Sequence, residues 1–393
     1  MIIMPRIRNN ICLSAHPDGC AANVRNQIEY VKNQKKITGK KRILIIGSST
    51  GYGLSCRIVS AFGYGARTIG VAYEKEGSEK SPGTAGWYNT IAFENEAASE
   101  NIESYSINGD AFSNEIKKET IDLIKRRFGK IDQLIYSVAA PVRTDPVSKK
   151  LYSSVIKPIG KKIKSRSLDF LSGVITEKTI EPATEEEIRD TVKVMGGEDW
   201  SLWIQELINN NLLARGFTTV AFSYLGPELT RPFYREGTIG RAKEDLERTA
   251  GLINKKLGKL DGKGIVSINK ALVTRASAVI PMVSLYISIL YKIMKKKGIH
   301  ENCIQQSFRL YRDYLSCDNP LQGSNIDTKN RIRLDDFEMR GDVQEEISEI
   351  WKKINNENLS DLADLEGYKD DYLKFFGFNL ENIDYDKSVR LAI

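Results

Sequence analysis

The sequence is poor in the residues that build metal centres. Among its 393 residues there are two histidines, His16 and His300, and five cysteines, an odd number without any Cys-x-x-Cys spacing. Zinc sites need several such side chains at short intervals, so no metal site is predicted. Any general acid or base is expected to be another residue type. Unpaired cysteines favour a reducing compartment, and the sequence therefore predicts a cytoplasmic protein.

Long apolar runs are also missing. Residues 1–8 contain no stretch of signal-peptide length. The most apolar later stretch, residues 279–291, is too short to cross a bilayer, which needs about 20 residues. The sequence therefore predicts no membrane insertion. Residues 279–291 are expected to form a buried helix or to line an apolar pocket.

The formal net charge is +7, and part of it lies in two segments without acidic residues, 32–42 and 149–166. Such clusters are usually solvated faces. The alternative is a surface for an anionic partner, such as a phosphate-rich cofactor or an acidic carrier protein. Neither segment shows the motifs of nucleic-acid recognition, so no nucleic-acid partner is predicted.

Short β-branched runs alternate with amphipathic segments along most of the chain. Strands are predicted at 42–46, 68–73, near 105–107, at 131–138, at 218–224 and within 264–273, with helices at 54–62 and 115–128. This alternation predicts an α/β fold with a doubly wound, mainly parallel, Rossmann-like sheet. Residues from 276 onward are expected to add mainly helices.

No Pro/Gly/Ser-rich boundary divides the chain, so residues 1–393 are predicted to form a single decorated domain. About 70 residues, 144–213, interrupt the alternation between the fourth and fifth strands. A hairpin is predicted around Gly173, from 165–171 and 174–181, followed by helical sequence over 184–213. This insertion is expected to cover the substrate site.

A glycine-rich turn follows the first predicted strand and precedes a helix. Its pattern is Gly47-x-x-x-Gly51-x-Gly53. Glycines allow a tight turn and close approach to a pyrophosphate, and the helix N-terminus supplies free N–H groups. The alternative is a structural turn without a ligand.

The second predicted strand ends in Glu74, 23 residues after Gly51. A carboxylate there binds the adenosine ribose hydroxyls and repels a 2′-phosphate, which predicts NADH rather than NADPH. The adjacent Lys75 could weaken that discrimination. Strands three and four end at Asp110-Ala111 and Val138-Ala139, where this fold contacts adenine and the nicotinamide ribose.

Tyr234 precedes Lys243 by nine positions. On one helix this is about 900° of rotation, which puts the two side chains on opposite faces. Gly237 and Gly240 indicate that the helix begins after Tyr234, with Thr238 as a candidate cap. A loop tyrosine and a lysine in the first turns could then share a pocket.

That pair suits the reduction of a double bond conjugated to a thioester. Hydride addition to the β-carbon makes an enolate, which a phenol can hydrogen-bond or protonate. A nearby ammonium is expected to lower the pKa of Tyr234 from about 10 and to hold the nicotinamide ribose. The alternative is a packing tyrosine and a solvated lysine.

Several motifs in order along the chain resemble those of the trans-2-enoyl-CoA reductases and the related FabV-type enoyl-acyl-carrier-protein reductases. They span residues 5–8, 15–20, 83–89, 108–113, 194–200 and 333–336, and the Tyr-x8-Lys spacing separates this family from short-chain dehydrogenases with Tyr-x3-Lys. Two departures are Ala140, where the family usually has serine, and Arg231, where it often has tryptophan.

The resemblance implies a role for each matching residue. Tyr234 would be the proton donor, Lys243 a cofactor contact that assists it, and Tyr224 a contact of the substrate thioester. NAD would be held by Gly47, Ser48, Ser49, Thr50, Gly51, Tyr52, Tyr73, Glu74, Asp110, Ala111, Val138 and Ala139. Leu272, Val273 and Thr274 would line the nicotinamide side and the acyl channel.

The resemblance implies an NADH-dependent enoyl-CoA reductase of fatty acid biosynthesis, with acyl-carrier protein as the alternative carrier. A monomer is predicted. Two other functions stay open: a carbonyl reductase that uses the same tyrosine and lysine, and a non-catalytic NAD-binding sensor. Activity on 3-oxo thioesters would distinguish the first, and indifference to loss of Tyr234 the second.

Overall fold

A seven-stranded parallel sheet forms the centre of the molecule, as a computed structural model shows for residues 1–8, 11–275, 277–278, 280, 282–316 and 325–392. Its strands are β3 (Arg42–Ile46), β4 (Arg67–Ala72), β5 (Ser104–Asn108), β6 (Ile131–Tyr136), β11 (Leu213–Ser223), β12 (Lys263–Ile268) and β13 (Arg331–Arg333). Two-stranded antiparallel pairs are β1 (Ile7–Arg8) with β2 (Ile11–Cys12), β7 (Val142–Thr144) with β8 (Leu151–Ser153), and β9 (Ile163–Asp169) with β10 (Val174–Ile180).

The spatial order of the sheet is β13-β12-β11-β6-β3-β4-β5, and each neighbouring pair is parallel. Numbered along the chain, the strands lie in the order 7-6-5-4-1-2-3. The order reverses between β3 and β6, which is the position where doubly wound folds open a crevice for a dinucleotide. The predicted fold class is confirmed.

Helices cover both faces of the sheet. They are α1 (Pro17–Lys32), α2 (Gly51–Ile58), α3 (Ala85–Ser99), α4 (Asn114–Arg127), α5 (Glu185–Met195), α6 (Glu198–Asn209), α7 (Thr238–Leu257), α8 (Val283–Lys296), α9 (Cys303–Leu310), α10 (Gly341–Lys353), α11 (Leu359–Leu362) and α12 (Leu365–Lys374). Helices α1, α2, α3 and α9 contribute to the core on one face, and α4, α6 and α7 to the core on the other. Because the central strand β3 is covered on both sides, it is a nearly continuous apolar run, and its residues 43–46 are all buried.

The sequence-based prediction missed β13. This strand has three residues, Arg331, Ile332 and Arg333, and it pairs with β12 at the edge of the sheet. A single apolar residue between two arginines carries no hydrophobic pattern, so only tertiary pairing makes it a strand.

The segment 144–213 contains the predicted hairpin, β9 and β10 around Gly173, and two helices, α5 and α6. The hairpin packs on α8, where the Ser284 hydroxyl donates to the Leu168 carbonyl oxygen at 2.8 Å. Helix α6 instead lies against the sheet with Trp200 and Trp203 fully buried. The two halves of the segment therefore have different surroundings.

Residues 283–291 are buried throughout, as expected of the apolar run at 279–291. Val279 and Pro281, which belong to that run, lie outside the described residues. In the part of the chain that the structure describes, no helix is long and apolar enough to span a membrane.

Candidate active site

The glycine turn after β3 is held tightly against the neighbouring strand end. Gly47 has φ +83°, and a Cβ there would lie 2.1 Å from the Ser137 carbonyl oxygen. A Cβ at Gly53 would lie 1.8 Å from the Gly47 carbonyl oxygen. Only glycine fits either position, so the backbone can turn directly into helix α2, whose N-cap is Thr50. This is the geometry that a pyrophosphate requires.

Glu74 lies beside that turn with its side chain largely buried. Its Oε1 accepts a hydrogen bond from the Ser49 hydroxyl at 2.6 Å and lies 3.5 Å from an Arg275 guanidinium nitrogen. The carboxylate also lies so close to Gly86 that a Cβ there would be 2.2 Å from Oε1. The structure thus brings together the predicted ribose carboxylate and the predicted phosphate turn. This arrangement fits the adenosine half of NAD.

The other predicted cofactor residues lie at the same edge of the sheet, after the carboxyl ends of β3, β4, β5 and β6. Asp110 accepts from the Phe112 N–H at 2.9 Å, which shapes the loop that follows β5. The Ala111 carbonyl oxygen accepts from Lys117 at 2.8 Å and from the Trp203 indole at 3.2 Å. Ser48 is buried, whereas Tyr73 and Ala139 are exposed and Val138 is half-buried.

Tyr52 extends from the first turn of α2 towards Phe222 of β11 and Gln306 of α9. Its ring stacks on Phe222 with centroids 5.4 Å apart, and its hydroxyl donates to Gln306 Oε1 at 2.8 Å. The same Gln306 oxygen accepts from the Lys270 backbone N–H at 3.2 Å. Tyr52 therefore joins the phosphate turn to the segment that follows β12.

Tyr224 and Tyr234 form an edge-to-face pair after the carboxyl end of β11. Their ring centroids are 4.7 Å apart and the ring planes cross at 88°. Tyr234 lies in a turn before α7, as expected, and is half-buried. The pair packs at the rim of the apolar core formed by residues of α8 and α12 and by residues 271–273, 278 and 280. Two phenols thus meet at the edge of an apolar core.

The expected lowering of the Tyr234 pKa was wrong. Burial, and then the charge of Glu338, raise the pKa of Tyr234 to about 12. The Lys243 ammonium donates instead to the Phe222 carbonyl oxygen at 3.0 Å. Burial lowers the pKa of Lys243 to about 8, and the charge of Glu247 opposes this shift. Tyr234 and Lys243 therefore flank the same strand end, but the described contacts do not pair them directly.

The proposed cap of α7 was also wrong. The N-cap is Gly237, and Thr238 is the first helical residue. The Thr238 hydroxyl donates to the Val155 carbonyl oxygen at 2.5 Å and accepts from the Lys157 N–H at 3.2 Å. Thr238 therefore ties the start of α7 to the basic segment 149–166 rather than closing its own helix end.

Leu272, Val273 and Thr274 follow β12 and form a wall along the same apolar core. Leu272 and Val273 are buried, and the Val273 N–H donates to the Tyr291 hydroxyl at 3.3 Å. The Thr274 N–H donates to the Ser277 hydroxyl at 2.8 Å. The backbone of this wall is thereby fixed against α8.

Neither histidine belongs to this site. His16 is the buried N-cap of α1, and its Nδ1 accepts from the Gly19 N–H at 3.1 Å. His300 packs edge-on against Tyr291, and burial lowers its pKa to about 2. Both side chains have structural surroundings, in agreement with the view that acid chemistry here falls to another residue type.

Sequence reasoning missed three residues that support the site. Glu338 accepts a hydrogen bond from the Tyr224 hydroxyl at 2.8 Å, across 114 positions of sequence. Asn89 donates to the Ser49 carbonyl oxygen at 3.0 Å, and Gly86 makes room for Glu74. Gly86 and Asn89 lie within the motif at 83–89, which could have signalled them, whereas nothing in the sequence pattern around Glu338 indicates its place.

Together, this strand order, the glycine turn with its carboxylate and the phenol pair define a dinucleotide-dependent oxidoreductase of the Rossmann type. Three family profiles match the chain. They are described as the NAD(P)H binding domain of trans-2-enoyl-CoA reductase (residues 2–79), the trans-2-enoyl-CoA reductase catalytic region (81–316) and the enoyl reductase FAD binding domain (326–389). The chain belongs to the trans-2-enoyl-CoA reductase family.

Individual relatives match end to end. A protein of Clostridium perfringens named trans-2-enoyl-CoA reductase [NADH] is 54% identical over 100% of both chains. A protein of Cytophaga hutchinsonii named enoyl-[acyl-carrier-protein] reductase [NADH] is 53% identical over 98% of this chain and 96% of its own. The crystal structure of Treponema denticola trans-2-enoyl-CoA reductase in complex with NAD is 48% identical and covers 100% of this chain and 99% of its own, with a TM-score of 0.95.

The third profile names FAD, but the described residues of 326–389 do not fit a flavin. Strand β13 closes the sheet edge, and α10 and α12 pack on α8. The space beside Gly377 is filled by the start of α1, since a Cβ at this position would lie 2.5 Å from the His16 carbonyl oxygen. The described part of this segment has no strand–glycine–helix turn for a second pyrophosphate, and no chemical step is assigned to a flavin.

Proposed function

We propose that this chain reduces the trans-2 double bond of enoyl thioesters with NADH, converting enoyl-CoA to acyl-CoA in fatty acid biosynthesis. The observation that carries the proposal is the Tyr224–Tyr234 pair, which packs against the same apolar core as Tyr52 of the glycine turn. The names of relatives more than 50% identical over nearly the whole chain support the same reaction.

In this proposal NADH, when bound, supplies the hydride that is added to the β-carbon. Tyr234 is protonated at neutral pH, as an ordinary phenol is, and its raised pKa extends this to higher pH. It hydrogen-bonds the developing enolate oxygen and provides the proton that is added to the α-carbon. Lys243 contacts the nicotinamide ribose, and Leu272, Val273 and Thr274 hold the reacting face against the acyl channel. The turn at 47–52 and Glu74 hold the pyrophosphate and the adenosine ribose.

The first test is loss of NADH absorbance with purified protein and crotonyl-CoA, for the wild type and for Tyr234→Phe. The substitution removes the acidic proton and is expected to lower kcat about 10²- to 10⁴-fold. Tyr30→Phe, on the outer helix α1, is the matched control and should leave kcat unchanged. No turnover by the wild type would overturn the proposal.

The same assay separates the two other functions. Turnover of acetoacetyl-CoA in place of crotonyl-CoA would indicate a carbonyl reductase. Binding of NADH without turnover of either substrate, together with indifference to Tyr234→Phe, would indicate a sensor.

The basic segment 149–166 supports an anionic carrier next to the site. The Thr238 N–H donates to the Lys157 carbonyl oxygen at 3.0 Å, and Pro158 pairs with Gly237, so the segment adjoins the turn that holds Tyr234. Its exposed lysines are Lys149, Lys150, Lys161, Lys162 and Lys164. Coenzyme A and an acidic acyl-carrier protein both present phosphate or carboxylate charge to such a surface.

We propose coenzyme A as the main carrier, with acyl-carrier protein as the alternative. Crotonyl-CoA and crotonyl-acyl-carrier protein are compared in the wild type and in Lys161→Glu/Lys162→Glu. Charge reversal at an exposed docking surface is expected to raise KM for the preferred carrier with little change in kcat. A higher kcat/KM for the carrier protein than for coenzyme A would contradict our assignment.

We also propose that the protein works as a monomer in the cytoplasm. Its four described cysteines are free thiols, three of them buried, as expected of a reducing compartment. Light scattering during size-exclusion chromatography would test the monomer, and fractionation of cells the location.

A further inference from the structure

The carboxylate of Glu338, which was not predicted as a site residue, contacts the tyrosine pair through the Tyr224 hydroxyl. Glu338, between β13 and α10, is fully buried with 0% of its surface exposed. Buried carboxylates are rare unless they are paired or hydrogen-bonded, because removal from water disfavours the charge. Glu338 is therefore expected to accept hydrogen bonds from the residues around it.

The carboxylate has three hydrogen-bond donors from three separate elements. Oε1 accepts from the Tyr224 hydroxyl at 2.8 Å and from the Tyr286 hydroxyl at 2.7 Å. Oε2 accepts from the Ala271 N–H at 2.6 Å. The Gln344 side chain donates to the backbone carbonyl oxygen of Glu338 at 2.6 Å. Glu338 thus joins three elements: the end of β11, the segment after β12 and helix α8.

The charged and titratable groups that face Glu338 are Tyr224, Tyr286, Tyr234, Tyr52 and Lys270. Burial raises the pKa of Glu338 above its ordinary value, and the hydrogen bonds of Tyr286, Ala271 and Tyr224 and the Lys270 charge oppose this shift only in part. The Ala271 N–H can only donate, and an ionised carboxylate accepts from all three donors at once. The three hydrogen bonds that the Glu338 side chain accepts therefore fit an ionised carboxylate.

The hydrogen-bond direction has a consequence for the tyrosine pair. When Tyr224 donates its proton to Glu338, its oxygen has only lone pairs left to present elsewhere. Tyr234 has no such carboxylate bond among the described contacts, and its ring lies edge-to-face with that of Tyr224. Within this pair, Tyr234 is then the phenol whose proton is free to be donated.

We propose that Glu338 is a positioning residue for the reduction. By accepting the Tyr224 hydroxyl proton it fixes the Tyr224 ring, and through that ring it holds the Tyr234 phenol in its reactive orientation. This inference rests on the proposed function. It adds a residue more than 90 positions beyond Tyr234 to the machinery of the same site.

A double-mutant cycle tests it, with wild type, Tyr224→Phe, Glu338→Gln and the double variant. Glutamine has the size of glutamate but cannot accept on both atoms, so the Tyr224 hydroxyl must reorient. We expect Glu338→Gln to lower kcat about tenfold with KM for NADH within about twofold. Because Glu338 acts through Tyr224, the double variant should match Tyr224→Phe within about twofold.

Additive losses in the double variant would overturn the proposal, as would a Glu338→Gln kcat within about twofold of wild type. Glu346→Gln on α10, which pairs with Lys296 and Lys297 at the surface, is the charge-matched control and should leave kcat unchanged. Turnover by the wild type is measured first, so that failure of the proposed function is seen separately from failure of this inference.

If Glu338→Gln does not fold, Tyr224→Phe and Tyr286→Phe decide the question. Both remove one hydroxyl from the same carboxylate oxygen, but only Tyr224 contacts Tyr234. The proposal requires a kcat loss at least fivefold greater, roughly, for Tyr224→Phe than for Tyr286→Phe. Equal losses, or a greater loss for Tyr286→Phe, would overturn it.

Discussion

The nucleotide half and the substrate half of this site each contain a buried carboxylate, and the two differ in how they are held. Glu74 is supported mainly from nearby sequence, by Ser49 and by the space at Gly86, and the half-exposed Arg275 adds one long-range ion pair. Glu338 is supported from distant sequence, by Tyr224, Tyr286 and Ala271. Local support leaves a pattern in the sequence, whereas long-range support exists only after the chain has folded.

The same difference between local and long-range support appears for the Tyr234 phenol and the Lys243 amine. The Lys243 ammonium was expected to lower the pKa of Tyr234, because the two side chains were expected to share a pocket. In the structure the pKa of Tyr234 is set by burial and by Glu338, and Lys243 donates to Phe222. Groups from remote segments, together with exclusion of water, thus decide the chemistry of the substrate half.

The largest change expected from the nucleotide half concerns Glu74→Ala. Loss of the carboxylate removes ribose hydrogen bonds, ends the repulsion of a 2′-phosphate and leaves Arg275 free to pair with it. We expect the ratio of kcat/KM for NADH to that for NADPH to fall about 100-fold, as a loss of about 3 kcal/mol in discrimination implies.

Glu76→Ala is the control, because Glu76 is an exposed carboxylate two positions along the same segment. Its cofactor ratio should equal that of the wild type. The double variant Glu74→Ala/Arg275→Ala should lose part of the NADPH gain. An unchanged ratio in Glu74→Ala would mean that this carboxylate does not select the cofactor.

A smaller effect is expected where the two halves meet, at Lys243. Its pKa of about 8 means that the ammonium is present below this pH and is lost as the pH rises through it. If the ammonium binds the nicotinamide ribose, kcat/KM for NADH should fall up to about tenfold per pH unit above pH 8. A pH series from 6 to about 10 would measure this.

Lys243→Met should have a lower kcat/KM and no inflection near pH 8. Lys255→Met, an exposed lysine on the same helix, should keep the wild-type profile. A flat wild-type profile would show that the charge of Lys243 does not contribute to cofactor binding.

The smallest expected effect is on stability, and it is seen by comparing substitutions at two glycines, Gly251 and Gly53. A Cβ at Gly251, exposed in α7, meets no atom within 4 Å, whereas one at Gly53 meets the backbone at 1.8 Å. Gly251→Ala should therefore raise the free energy of unfolding by about 0.5–1 kcal/mol without affecting turnover. Gly53→Ala should weaken NADH binding. Urea unfolding and NADH titration measure the two effects, and equal NADH affinity in both variants would contradict the close approach at Gly53.

By itself the sequence determined the parallel α/β fold, the glycine turn and the carboxylate that follows the second strand. Each of these depends on residues close together in the chain, where hydrophobic period and glycine spacing act directly. The pairing of β13, the true N-cap of α7, the raised pKa of Tyr234 and the place of Glu338 were decided only by tertiary structure. They depend on contacts between segments tens to more than a hundred positions apart, and on the exclusion of water that those contacts produce.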